Sequence, residues 1–148
     1  MALELDDREA KDVPRASARH GGSARWVGAG GKRYTADIYP LGLALPAAPG
    51  IFILAKPRSP LAQSWTALYV GTDADVAAGI RDAKRHSYLW NFAVELGLTA
   101  IHLVTAAAGA AERHDIARDL IRSLLPSLNR ETAAMQRSGL GTNLGITT

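Results

Sequence analysis

The stretch Gly50-Ile51-Phe52-Ile53-Leu54-Ala55 carries no polar side chain. It lies between Pro40, Pro46 and Pro49 on one side and Lys56-Pro57-Arg58-Ser59-Pro60 on the other. Prolines this close forbid a helix from extending through it, and a short unbroken apolar run is the pattern of a strand covered on both faces. Such a strand needs a layer of structure on each side of its sheet. Trp65-Thr66-Ala67-Leu68-Tyr69-Val70-Gly71 reads as a second buried strand, and the two form the core hairpin. A chain of 148 residues is one domain's worth and buries about two-thirds of its unfolded surface.

The remaining elements follow from local signals. Arg25-Trp26-Val27 and Lys32 to Tyr39 flank Gly28-Ala29-Gly30-Gly31 and predict two strands around a glycine turn. That turn lacks the Gly-Lys-Ser/Thr ending of a phosphate loop. Asp73 or Asp75 can cap a helix reaching about His86, with Val76, Ile80 and Ala83 on its inner face. Tyr88 to Leu96 suits a second helix closed by Gly97, Thr99 to Thr105 a third core strand, and 110–125 a last helix stopped by Pro126. Ile116, Leu120, Ile121, Leu124 and Leu128 make its apolar stripe. The expected architecture is α+β: a small three-stranded antiparallel sheet flanked by helices, with an N-terminal β-hairpin extension. The expected division is a flexible leader over 1–23, hairpin and connector over 24–49, the main domain over 50–130 and a flexible tail over 131–148.

Composition excludes several classes of function. There are no cysteines, hence no disulfides, thiolate metal sites or cysteine nucleophiles. No apolar run approaches the ~20 residues of a membrane span, so no membrane partner is expected. The acidic start, Met-Ala-Leu-Glu-Leu-Asp-Asp, is unlike a secretory signal, and a cytoplasmic protein is the default. Serines lack the Gly-x-Ser-x-Gly setting of a serine hydrolase. The balance of 17 Lys+Arg to 14 Asp+Glu is mildly basic. Arg15, Arg19, Arg25, Lys32 and Arg33 follow one another without an intervening acid, as a solvated tail does or as an arm lying along phosphates.

Gly50-Ile51-Phe52, then Tyr69-Val70-Gly71, then a helix, a strand and Arg113…Asp119-Leu120-Ile121…Pro126-Ser127-Leu128-Asn129 resembles the GIY-YIG nuclease superfamily over residues 50–129. The resemblance implies a three-stranded sheet with helices and a metal-dependent site cutting DNA phosphodiesters. It further implies two cleft tyrosines, a phosphate-binding arginine, a glutamate holding magnesium or manganese, and a bracing asparagine. Such chemistry needs charge neutralisation at the phosphate and an activated water.

Transferred position by position, the second tyrosine falls on Tyr69 and the asparagine on Asn129. The first tyrosine falls on Phe52, the arginine on Gly79 and the glutamate on Ala117. Base, phosphate clamp and metal ligand are therefore altered, and no metal-binding residue or cofactor is expected. Arg81 and Asp119 each lie two residues from the vacated positions, about 200° around a helix. His114 shares a face with Ala117, but a lone imidazole suits magnesium poorly. Gly79, costing about 1 kcal/mol relative to alanine, has no local justification in the sequence.

Arg81, Lys84, Arg85 and His86 form a basic end to the first helix, with Asp82 opposing. With Arg113 they are the candidate nucleic-acid contacts; alternatively they are cations favoured by the helix dipole. His102, mid-strand, reads as a satisfied strand histidine rather than a ligand, and Trp65, Tyr88, Trp90 and Phe92 as packing rather than a stacking platform. The principal reading is a catalytically degenerate GIY-YIG-like domain binding DNA, RNA or a protein partner. An active Mg²⁺-dependent endonuclease is the alternative, and a structural subunit of a larger assembly the third.

Overall fold

The computed structural model describes residues 10–13, 22–59, 64–105, 109–130 and 132. The strands are β1 (Ala10–Val13), β2 (Ser23–Val27), β3 (Arg33–Pro40), β4 (Gly50–Pro57), β5 (Ser64–Asp73) and β6 (Ala100–Val104). The helices are α1 (Val76–His86), α2 (Tyr88–Leu96) and α3 (Ala110–Leu124). All strand pairs are antiparallel, in the order β1-β2-β3-β6-β4-β5, and β1 closes on β5 to make a barrel.

The α+β class is as expected, but the sheet is larger than three strands. β6, β4 and β5 are neighbours, with β4 between the other two. The hairpin β2–β3 is no extension: Asp37 to Pro40 pairs with Leu103 to Ala100, so it continues the same sheet. Tertiary pairing thus supplies β6 with the second partner that an isolated three-stranded sheet would deny it. Ala10–Val13, placed by sequence in a leader, forms β1; the rest of 1–21 and nearly all of the expected tail lie outside the described residues.

Alternation along the strands divides two apolar clusters. Ala24, Trp26, Tyr34, Ala36, Ile38, Ile51, Ile53, Ala55, Val70, Ala100 and Val104 converge from β2 through β6 on the barrel interior. Phe52, Leu54, Leu68, Tyr69, Ile101 and Leu103 face outward and are covered by Val76 and Ile80 of α1 and by Leu89 and Ala93 of α2. β4 is therefore buried on both faces, as its unbroken apolar run demands. The register of β5 shifts between Tyr69, opposite Leu54, and Ala67, opposite Ala55. Leu68 is the extra residue of this bulge, which sends the consecutive Leu68 and Tyr69 to the same outer cluster.

Helix ends obey their capping residues. Asp75 caps α1 by accepting from the Ala78 N–H at 3.1 Å, and Ser87 both ends α1 and caps α2, accepting from the Leu89 N–H at 3.1 Å. Gly97 closes α2 at φ 109°, a left-handed conformation that a side chain disfavours. α3 turns Arg113, Ala117 and Leu120 inward; Ile116, Ile121 and Leu124 of the expected stripe are only partly buried, while Leu128 belongs to the outer cluster.

Candidate functional site

Phe52 and Tyr69 sit together on the outer face of β4 and β5, their ring centroids 6.3 Å apart and tilted by 35°. Only 3% of Phe52 and 1% of Tyr69 is exposed, because α1 and α2 cover them. Burial, assisted by Tyr88, pushes the Tyr69 phenol well above the usual tyrosine range. A phenol so placed stays protonated, which suits it poorly to act as a general base.

Ala117 lies in the interior cluster, on the opposite side of the sheet from Tyr69. Asn129 stands between these two sides, at the edge of β5. Its carboxamide accepts from the Val70 N–H at 2.8 Å and donates to the Val70 carbonyl at 3.0 Å. Both groups of Val70 therefore point away from β4, and Asn129 takes the place of a neighbouring strand along the stretch of β5 beyond β1. The structure brings Asn129 to the residue beside Tyr69, but it does not gather Phe52, Tyr69 and Ala117 around one opening.

Gly79 has a steric reason that the sequence hid. A Cβ there would collide with the Asp73 carboxylate, which accepts from the Asp75 N–H at 2.9 Å and so packs against the helix backbone. The position of the family arginine is thus backed by a carboxylate, and Arg81 is exposed elsewhere on α1.

The remaining carboxylate candidate, Asp119, is fully engaged. It accepts from the Tyr34 hydroxyl at 2.8 Å and from the Gly30 N–H at 3.0 Å, while its backbone carbonyl accepts from the Ala29 N–H at 3.1 Å. A Cβ at Gly28 would strike the same carboxylate. The glycine turn between β2 and β3 is therefore a clasp that ties α3 to the barrel. Burial and the Asp119 charge push the Tyr34 phenol up to about 12. Among the described residues no three His, Asp or Glu side chains stand close enough to share a metal ion.

His102 is the most buried titratable group of the interior. Its Nδ1 accepts from the Trp26 indole N–H at 3.0 Å, and the Trp65 ring meets it edge-on at 4.6 Å. Nδ1 is thereby the unprotonated nitrogen, and burial lowers the imidazole to about 3. It is a core residue, but not the satisfied one expected: among the described residues its buried Nε2 has no hydrogen-bond partner.

The basic set is partly assembled. Arg81, Lys84, Arg85 and His86 are all exposed on the second half of α1. Asp82, the lone acid of α1, lies 3.8 Å from His86. Lys84 Nζ stands 5.4 Å from the centroid of the Trp90 ring on α2. Arg113, by contrast, is 8% exposed and belongs to the inward face of α3, which corrects its assignment to a phosphate-contacting surface. Sequence reasoning missed Trp90 as a companion of Lys84; the six-residue spacing across the Ser87 corner was its signal.

A shallow apolar groove of about 330 Å³ lies between α2 and the helical turn at 127–130, lined by Phe92, Glu95, Leu96, Ser127 and Leu128. No helix among the described residues is long and apolar enough to cross a membrane. Comparison with family models, curated proteins and solved structures finds no match to this chain.

Proposed function

We propose that this chain is a catalytically degenerate GIY-YIG-like domain that binds nucleic acid through the exposed cations of α1. One observation carries the reading: Phe52, Tyr69 and Ala117 are buried and divided between two sides of the sheet, whereas Arg81, Lys84 and Arg85 are exposed together on α1. Residues spaced i, i+3 and i+4 share one helix face, so three cations can meet successive phosphates without rearranging the fold. The adjoining helix C-terminus favours cations as well, but the dipole alone accounts for only about 0.3–1 kcal/mol each.

The test is a salt titration of binding. Wild-type affinity for a mixed-sequence oligonucleotide should fall linearly in log-log form with salt, by ~0.9 per neutralised phosphate in duplex DNA. Arg81→Ala/Lys84→Ala/Arg85→Ala should lower both affinity and slope, with stability altered by no more than about 0.5 kcal/mol. Wild-type binding that ignores salt, or full affinity in the triple variant, would refute the reading. A second reading, a protein partner, is favoured by the groove and by the exposure of Phe92 and Leu96 at its rim. Capture of an apolar peptide that is abolished by Phe92→Asp, with no oligonucleotide binding, would establish it instead.

A further inference from the structure

We infer that the α1–α2 corner selects unpaired nucleic acid, with Trp90 as the surface on which one base stacks; this rests on the nucleic-acid reading above. Trp90 is half-buried: one side of it packs against the outer cluster, and the Lys84 ammonium stands over its ring. The two helices meet at Ser87, which ends one and caps the other, so the ring and the cations are held on a rigid corner rather than a loop. Trp26 is wholly buried and Trp65 packs against the barrel interior. Trp90 adjoins the exposed cations of α1 through Lys84.

The chemistry discriminates between strand states. A base offers its face to an aromatic ring only when it is unstacked, as in a single strand or loop; a duplex hides those faces and presents phosphates alone. Lys84 is matched to such an exchange. Without ligand it rests over the indole as a cation–π partner, and a phosphate is a stronger attraction for an ammonium than a ring face. Drawing Lys84 toward the backbone uncovers the ring for the attached base. Duplex DNA, in contrast, would engage Arg81, Lys84 and Arg85 and leave Trp90 unused.

The experiment compares oligothymidylate, oligouridylate and a mixed-sequence duplex of matched length at low salt, read by anisotropy of the oligonucleotide and by tryptophan fluorescence. The wild type should bind the single strands more tightly, with quenching that the duplex does not produce. Trp90→Ala should weaken single-strand binding by about fivefold or more and leave duplex binding within twofold. Trp90→Phe keeps a ring in the packed position and should recover most of the affinity without the quenching, which separates stacking from damage to the fold. Salt-dependent binding that prefers the duplex, or single-strand binding equal in all three proteins, would overturn the stacking inference and leave the phosphate reading standing. Absence of salt-dependent binding to any of the three oligonucleotides would overturn both.

Discussion

The two sides of β4 are equally apolar in sequence but differ in what they hold. The outer side, under α1 and α2, is aromatic and aliphatic packing with Phe52 and Tyr69 at its centre. The inner side surrounds a polar fixture, the Trp26–His102 hydrogen bond, and is crowded with alanines at 24, 36, 55, 67 and 100 that make room for the rings. One consequence bears on function. Phe52 and Tyr69 belong to the outer cluster and Ala117 to the inner one, so these three side chains do not meet around one opening.

The largest effect expected from testing this division is on the inner side. Trp26→Ala removes the biggest interior ring and leaves His102 without its donor, so a loss of about 3–5 kcal/mol is expected in chemical denaturation. A loss below about 1 kcal/mol would mean that the interior is not packed as described.

Acid should reach the inner side next. His102 is held down to about 3 from its ordinary 6.5, so the unfolded chain binds the extra proton between those values. Its contribution is present above pH 6.5 and is lost as pH falls, by about 2 kcal/mol at pH 5. By NMR the His102 ring should show no titration between pH 7 and 5. A His102 midpoint near 6 would contradict its burial.

A smaller effect sharpens the role of α3. Gly28→Ala should destabilise by about 1 kcal/mol or more, because the Asp119 carboxylate occupies the space of the new methyl. In an Asp119→Ala background the same substitution should be nearly neutral. Additive effects would show that the glycine turn and Asp119 are not one clasp.

Much of this was legible in the sequence, and for identifiable reasons. The apolar run at 50–55, a capping aspartate at 73 or 75, Gly97 and Pro126 act locally, and each element they bound is present; the Ser87 cap between α1 and α2 went unread. Val76, Ile80 and Ala83 are buried as their spacing requires. Closure of the sheet was not legible, since pairing of Asp37–Pro40 with Ala100–Leu103 joins segments distant in the chain with no local signature. The bulge at Leu68 breaks the two-residue alternation that strand reading relies on. Gly79 looked unmotivated because its partner, Asp73, reaches it only through the fold, and the glycine turn gave no sign that Gly28 faces Asp119. The resemblance implied a bracing asparagine at 129, whereas its pairing with the backbone of Val70 joins residues 59 apart and has no local signature.

The central claim is that Phe52, Tyr69 and Ala117 are packing residues rather than parts of a phosphodiesterase site. The most direct measurement is cleavage of mixed single- and double-stranded DNA by the unmodified protein with Mg²⁺ or Mn²⁺, run beside Tyr69→Phe. The account predicts no metal-dependent cleavage by either protein under conditions where the wild type binds the DNA. Cleavage by the wild type that Tyr69→Phe abolishes would contradict it, because the buried phenol would then have to reach substrate.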